Sequence, residues 1–348
     1  MSTPRGRGYQ RAMPPLPAPR GQLSSLLLER LGLDPHEIPP APPIQVADPL
    51  ADEDLQLALY LMYELHYRGL PGVDAEWEWE PSLLSLRRDV ERLVEAALEE
   101  QLGAADGEPA ADEMDLVLRA LCSEAGGPSL SSYIEREARL EQVHEFMVHR
   151  SVYQLKEADP HSWALPRLSG GPKAALVEIQ ADEYGGGRVE RIHAEMFAEA
   201  MDAVGLDPTY GAYLDRVPAV TLATVNVLSL FGLHRRWRGA LVGHLAVFEM
   251  TSSIPNGRYA AGLRRLGFGD RATAFFDEHV EADAVHENIA AVDLAGGLAR
   301  QEPDLAADVV WGARALLALE DRWSRALLDA WAERGTSLLA PLPPFVSA

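Results

Sequence analysis

Between positions 279 and 286 the chain reads His279, Val280, Glu281, Ala282, Asp283, Ala284, Val285, His286, an H-x-x-x-D-x-x-H pattern. On an α-helix turning about 100° per residue, Asp283 lies about 40° from His279 and His286 about 20° to its other side, so three donors share one narrow stripe. Two imidazoles and a carboxylate facing one point suit iron, manganese or zinc, and a nitrogen and oxygen donor set without thiolate leans towards an oxygen-activating iron site. Asp277, Glu278, Glu281 and Glu287 make the surroundings acidic, so a solvated polar face is the competing reading. Glu190 and His193 form an E-x-x-H pair, the i,i+3 spacing by which helical bundles aim Glu and His at a metal. Alone, that pair reads equally well as a surface Glu beside a core His. His149, Tyr153 and Glu157 recur at i+4 and end at Asp159 and Pro160, one face of a third helix on which Glu157 is a candidate bridge between two metals. Lys156 lies off that stripe and is expected to tolerate replacement by alanine.

Long helices are needed to position these residues, and the sequence supplies them. Gly and Pro punctuation divides the chain into helical segments at about 129–158, 172–184, 188–204, 208–214, 218–232, 234–251, 256–266, 270–299 and 303–334. Upstream, Leu55, Leu59, Met62 and His66 keep helical spacing, as do Leu83, Leu86, Val90, Leu93 and Leu98 after Pro81. No alternating strand series and no internal repeat appears, so the fold class is all-α. A boundary near 125–130 separates a helical layer, residues 49–128, from a core bundle, residues 129–340. Trp77 and Trp79 are expected to pack as a clasp between helices. Residues 1–48 are rich in Pro and are expected to form a disordered arm with one short helix near Leu23–Leu33, dispensable for catalysis up to about residue 40.

Across the 348 residues, 31 Lys and Arg stand against 53 Asp and Glu, a formal net charge of −22. Such a surface repels nucleic acid and anionic membranes. The single Cys122 excludes a disulfide framework, a thiolate zinc site and an iron–sulfur cluster, and fits a reducing cytoplasm. Ala240–Phe248, one of the more apolar runs, is interrupted by His244 and is far below the roughly 18 residues of a spanning helix. Prolines at 14, 15, 17 and 19 occupy the place where an export signal carries its apolar stretch.

With these motifs in hand, the chain resembles the haem-oxygenase-like di-iron oxidases and oxygenases, a family of iron-containing redox enzymes. The resemblance spans about 130–300, from Tyr153, Gln154, Leu155, Lys156, Glu157, Ala158, Asp159, Pro160 and His161, through Ile179 to Gly187, to the H-x-x-x-D-x-x-H helix. It implies a haem-oxygenase-like bundle with an N-terminal extension, and a ligand set of Glu157, then Glu183 or Glu190 with His193, then His279, Asp283 and His286. Gly185, Gly186 and Gly187 are expected to interrupt the second ligand helix, so that Glu183 swings in or out as metal loads. Two ferrous ions with O2 as co-substrate, acting on a small amino-acid-, amine- or carboxylate-type substrate in specialised metabolism, follow from the same resemblance. An external electron donor and a homodimer formed through the N-terminal layer are the implied partners. Ferritin-like bundles carry two E-x-x-H motifs where this chain has one, and the crowd of His and carboxylate residues leaves no room for a haem. A metal-storage protein and a cofactor-free enzyme on the same fold are the alternatives. Tyr153, His149, Asn226, Arg235, His244 and Glu249 are candidates for groups behind the ligands or in a substrate pocket, Arg235 as receiver of a substrate carboxylate. Glu64 and His66 are expected to be structural.

Overall fold

The computed structural model of this protein describes residues 15–39, 44–103, 109–124 and 126–343; the side chains of Asp283 and Ala284 also lie outside the description. The helices are α1 (Gln22–Leu31), α2 (Glu53–Glu64), α3 (Pro81–Leu102), α4 (Met114–Glu124), α5 (Leu130–Arg136), α6 (Leu140–Gln154), α7 (Asp159–Ser162), α8 (Gly170–Glu183), α9 (His193–Ala203), α10 (Ala219–Leu233), α11 (Arg238–Arg265), α12 (Asp270–Asn288), α13 (Gly297–Gln301) and α14 (Ala306–Ala332). Among the described residues the only β pairing is a lone antiparallel bridge between Tyr184 and Ile192. The fold is all-α, as the periodicity predicts.

Local chemistry sets the helix starts. The Asp52 carboxylate accepts from the Leu55 N–H at 2.8 Å to open α2, and Glu80 does the same for Ser82 at the head of α3, where Pro81 sits at a position whose N–H is unused. α10 is apolar on every side and buried through its length, from Ala219 to Gly232, which marks it as a central helix. It packs against α2, α11 and α14. α11 and α14 approach closely because Gly243 and Gly312 have no side chain: a Cβ at Gly243 lies 1.8 Å from the Val309 carbonyl oxygen, and one at Gly312 lies 2.0 Å from that of Ala240.

Several expected boundaries move. The segment 129–158 divides into α5 and α6, and α6 ends at Gln154. Residues 208–214 form turns rather than a helix. α11 runs unbroken through Pro255, where the sequence suggests two helices. The proline removes one helical N–H donor, and nearby hydroxyls turn inward, Thr251 Oγ1 to the Val247 carbonyl at 2.7 Å and Ser252 Oγ to that of Phe248. Beyond α12 the chain widens into a π-helical stretch, Ile289–Gly296, before α13.

The disordered arm also needs correction. Over residues 15–39 it is packed structure: Leu27 and Leu31 are fully buried, and Arg20 pairs with Glu53 at 2.7 Å while donating to the Leu214 carbonyl. The short helix expected near Leu23–Leu33 is α1, which ends at Leu31 with Gly32 as its cap. Residues 1–14 and 40–43 of that arm lie outside the described residues. Trp77 does clasp, donating from Nε1 to the Leu33 carbonyl at 3.0 Å, whereas Trp79 is exposed, its ring edge on His66. α2 is buried from Leu55 to Glu64.

Candidate metal centre

Four helices and one turn bring the donor residues together. α6 ends at Gln154 and the chain turns, so Glu157 leaves the His149–Tyr153 stripe and is carried instead by a strained bend: Ala158, a non-glycine residue, has φ +72°. Backbone held in that region marks places the surrounding fold must enforce, and the Gln180 amide fastens it by donating to the Ala158 carbonyl at 2.8 Å. α8 ends at Glu183, and Gly185 to Gly187 interrupt the helix as expected. A Cβ at Gly185 falls within 2.6 Å of the Arg191 backbone, so this glycine lets the loop fold back to its bridge with Ile192.

That fold-back corrects the E-x-x-H reading. His193 is the first residue of α9, and Glu190 sits in a separate short turn, Val189–Arg191, exposed to solvent. The i,i+3 geometry exists only on a continuous helix, so Glu183 takes the place and Glu190 stands outside. His193 Nδ1 approaches Glu183 Oε2 to 2.8 Å. His279 Nε2 lies 3.6 Å from Glu157 Oε1, and its ring is 4.4 Å, centroid to centroid, from that of His193. One group of potential donors is therefore Glu157, Glu183, His193 and His279, all buried, with ligand atoms within 4.8 Å of one another.

About two turns further along α12, His286 Nδ1 stands 3.3 Å from Glu249 Oε2 on α11 and 4.0 Å from Glu183 Oε1. Glu183, Glu249 and His286 form a second buried group under the same 4.8 Å limit. Glu183 belongs to both. Asp283 lies between the two histidines on α12, with its side chain outside the described residues.

Outer contacts aim the rings. His279 Nδ1 donates to the Phe275 carbonyl at 2.8 Å; a carbonyl only accepts, so this bond fixes the proton on Nδ1 and turns the Nε2 lone pair towards Glu157. His286 Nε2 is bonded to Asp182 at 3.2 Å, which leaves Nδ1 facing Glu249 and Glu183. Burial raises the Glu183 carboxyl, but the surrounding imidazoles, His193 foremost, outweigh it and hold the group below the ordinary range. Burial lowers His286, yet Glu249 and then Glu183 push it up to about 9. Glu249 is raised by burial and by the charge of Glu183. Tyr153 is raised well above its usual value, first by burial and then by Glu157, Glu183 and Glu249, so it keeps its proton.

The residues fit a metal. Glu157 Oε2 is buried without a hydrogen bond, a costly state for the protein alone, and Glu183 Oε2, His193 Nδ1 and His286 Nδ1 meet only other members of the cluster. Three carboxylates and three imidazoles form a hard, thiol-free donor set of the kind iron or manganese takes. Beside Glu157, Glu183, Glu249 and His279 lies a space of about 10 Å³, also lined by Tyr153, His161, Leu245 and Phe248, which admits a particle the size of one water. A larger cavity, about 1050 Å³, lies elsewhere, between residues 35–39 and α3, and touches none of these donors.

The remaining candidates divide. Tyr153 and Glu249 line the enclosed space. His244 stands just behind it, its Nδ1 3.2 Å from Nε2 of the lining His161. His149 is a core residue, hydrogen-bonded to Thr221 at 2.6 Å and Ser337 at 3.0 Å, far down α6 from the bend. Asn226 holds α10 to α2 through the Gln56 carbonyl and side chain. Arg235 is exposed and receives nothing in this pocket. Lys156 is no tolerant site either: it is buried and paired with Glu64 at 2.9 Å. The sequence singled out Glu249 only as a pocket residue; its signal was a lone carboxylate on an otherwise apolar helical stretch. His161 and Gln180, both lining the space, carried no spacing signal.

A family model described as iron-containing redox enzyme matches residues 144–321, a span that takes in every donor named above. No curated protein matches the chain. Among the described residues no helix is long and apolar enough to cross a membrane.

Proposed function

The chain belongs to the iron-containing redox enzyme family, and from that premise we propose that it is a non-haem di-iron oxidase or oxygenase that uses O2 to oxidise a small organic substrate. The observation that carries this reading is the sharing of Glu183 between two buried donor groups, the arrangement of a carboxylate-bridged pair of ions. Glu157, Glu183, His193 and His279 would hold one ion, and Glu183, Glu249 and His286 the other, with Asp283 added by its place in the motif.

When bound, ferrous iron supplies the electrons that activate O2. The protein's part is to orient and to enclose. The Phe275 carbonyl and Asp182 fix which imidazole nitrogen faces inward. Leu245 and Phe248 keep bulk water from the donors. Tyr153 holds a proton on its hydroxyl beside them. Glu157, Glu183, Glu249, His193, His279 and His286 converging favour bare ions over a porphyrin, which takes a single proximal ligand. Electrons beyond those of the metal come from an external donor in this reading, and the substrate is of amino-acid, amine or carboxylate type.

The test is anaerobic ferrous loading followed by a measured pulse of O2 in the presence of candidate substrates. Rapid O2 uptake matched by oxidised organic product is expected. Slow iron oxidation without organic product contradicts the proposal and favours storage.

A further inference from the structure

We infer that the cavity of about 540 Å³ beside the metal centre binds the substrate, and that it selects a carboxylate joined to an aromatic or otherwise apolar body, anchored by Arg258. The inference rests on the proposed oxidase reading for what happens to the substrate, but not for its binding.

Position is the first argument. Phe248 lines both this cavity and the small space beside the donors, so the two adjoin at that side chain. The next residue, Glu249, is a donor of the second group. Phe197 and Phe276 also line it, and Phe275, edge-to-face with Phe276, has its ring 4.3 Å from that of His279. The volume lies within the range of small-molecule sites, roughly 300–1,000 Å³.

Charge is the second. The lining includes two arginines and two acids, and three of these four are neutralised. Arg150 is paired in bidentate fashion with Glu320, at 2.8 and 2.7 Å, and Asp321 is held by Arg325 at 2.8 Å. Arg258 touches only the hydroxyls of Ser129 and Ser131, each at 3.3 Å, and among the described residues no carboxylate pairs with it. The cavity therefore presents one uncompensated cation with its fork of donors available to a bidentate acid. Between that cation and Phe248 the walls alternate apolar side chains, Phe146, Tyr259 and Met250 among them, with the polar Thr251, Ser252 and Asn256.

Length is the third. Arg258 and Phe248 are ten residues apart on α11, about 15 Å along its axis. A ligand gripped by its carboxylate at Arg258 must carry a long apolar body to reach Phe248.

Calorimetric titration of manganese-loaded protein with 6-phenylhexanoate tests this, with 6-phenylhexan-1-ol and 6-phenylhexylamine as neutral and cationic counterparts. The acid should bind at one site, at least tenfold more tightly than either counterpart. Arg258→Gln should abolish that preference and Arg258→Lys should retain most of it, with thermal melts of both variants checking that the fold survives. Bound manganese should speed the relaxation of the phenyl protons more than that of the methylene next to the carboxylate, and Glu183→Ala should remove the difference. Equal binding of the three compounds, an acid preference that survives in Arg258→Gln, or relaxation strongest beside the carboxylate overturns the inference. Arg258-dependent binding in a protein that takes up no manganese supports the cavity assignment and overturns the metal reading instead.

Discussion

Lys156 Nζ lies 2.9 Å from Glu64 Oε2, and each side chain is 1% exposed. Tyr210 donates to the same carboxylate at 2.7 Å, and the ammonium sits 4.3 Å from the centre of the Tyr67 ring. The next residue in sequence, Glu157, turns the other way, into the donor cluster. A buried ion pair thus clamps the bend that presents a candidate ligand.

Lys156→Ala should therefore destabilise the protein by about 3–5 kcal/mol, because removing one partner leaves a buried charge uncompensated. Urea or thermal unfolding measures it. A loss below about 1 kcal/mol means that the pair does not hold the bend.

Leu27 is 1% exposed. Leu27→Ala should cost about 2–5 kcal/mol, the range for emptying a core position. A disordered arm would register no change in melting temperature.

How much of this was legible follows from what each signal depends on. His279 and His286 were readable because both sit on one unbroken helix, where spacing converts directly into geometry. Glu157 became a candidate on a helical stripe that α6 stops short of, and Glu183 only through family resemblance, since it lies where α8 ends. Glu190 misled for the converse reason: its spacing to His193 assumed one helix from 188, whereas Ile192 is extended and α9 begins only at His193. Glu249 joins the cluster from α11, across the bundle, and nothing in the sequence ties position 249 to 286. Lys156 was misjudged because its partner lies 92 residues away. The all-α class survived every such error, as it rests on periodicity summed over the chain.

Three core histidines make stability pH-dependent. Burial lowers His149 and His244 to about 3 and, with His244 beside it, lowers His161 well below its ordinary value. In the unfolded chain each titrates near 6.5, so between about pH 3 and 6.5 the unfolded state binds more protons and stability falls as pH falls. Each group contributes up to about 1.4 kcal/mol per pH unit. The urea midpoint should drop steadily below pH 6.5, and less steeply in His149→Asn. A midpoint flat from pH 7 to 5 contradicts this.

Glu190→Gln should leave metal content unchanged and shift stability by no more than about 0.5 kcal/mol, as expected for an exposed turn residue. Loss of metal in this variant would restore the E-x-x-H pair to the site.

The central claim is that Glu183 serves two metal sites at once, and the iron content of anaerobically reconstituted protein tests it most directly. The wild-type chain should hold two irons, Glu157→Ala and Glu249→Ala about one each, and Glu183→Ala fewer than one, with helical content retained in all four. A wild-type chain that never exceeds one iron, or a Glu183→Ala variant that still holds two, would contradict it.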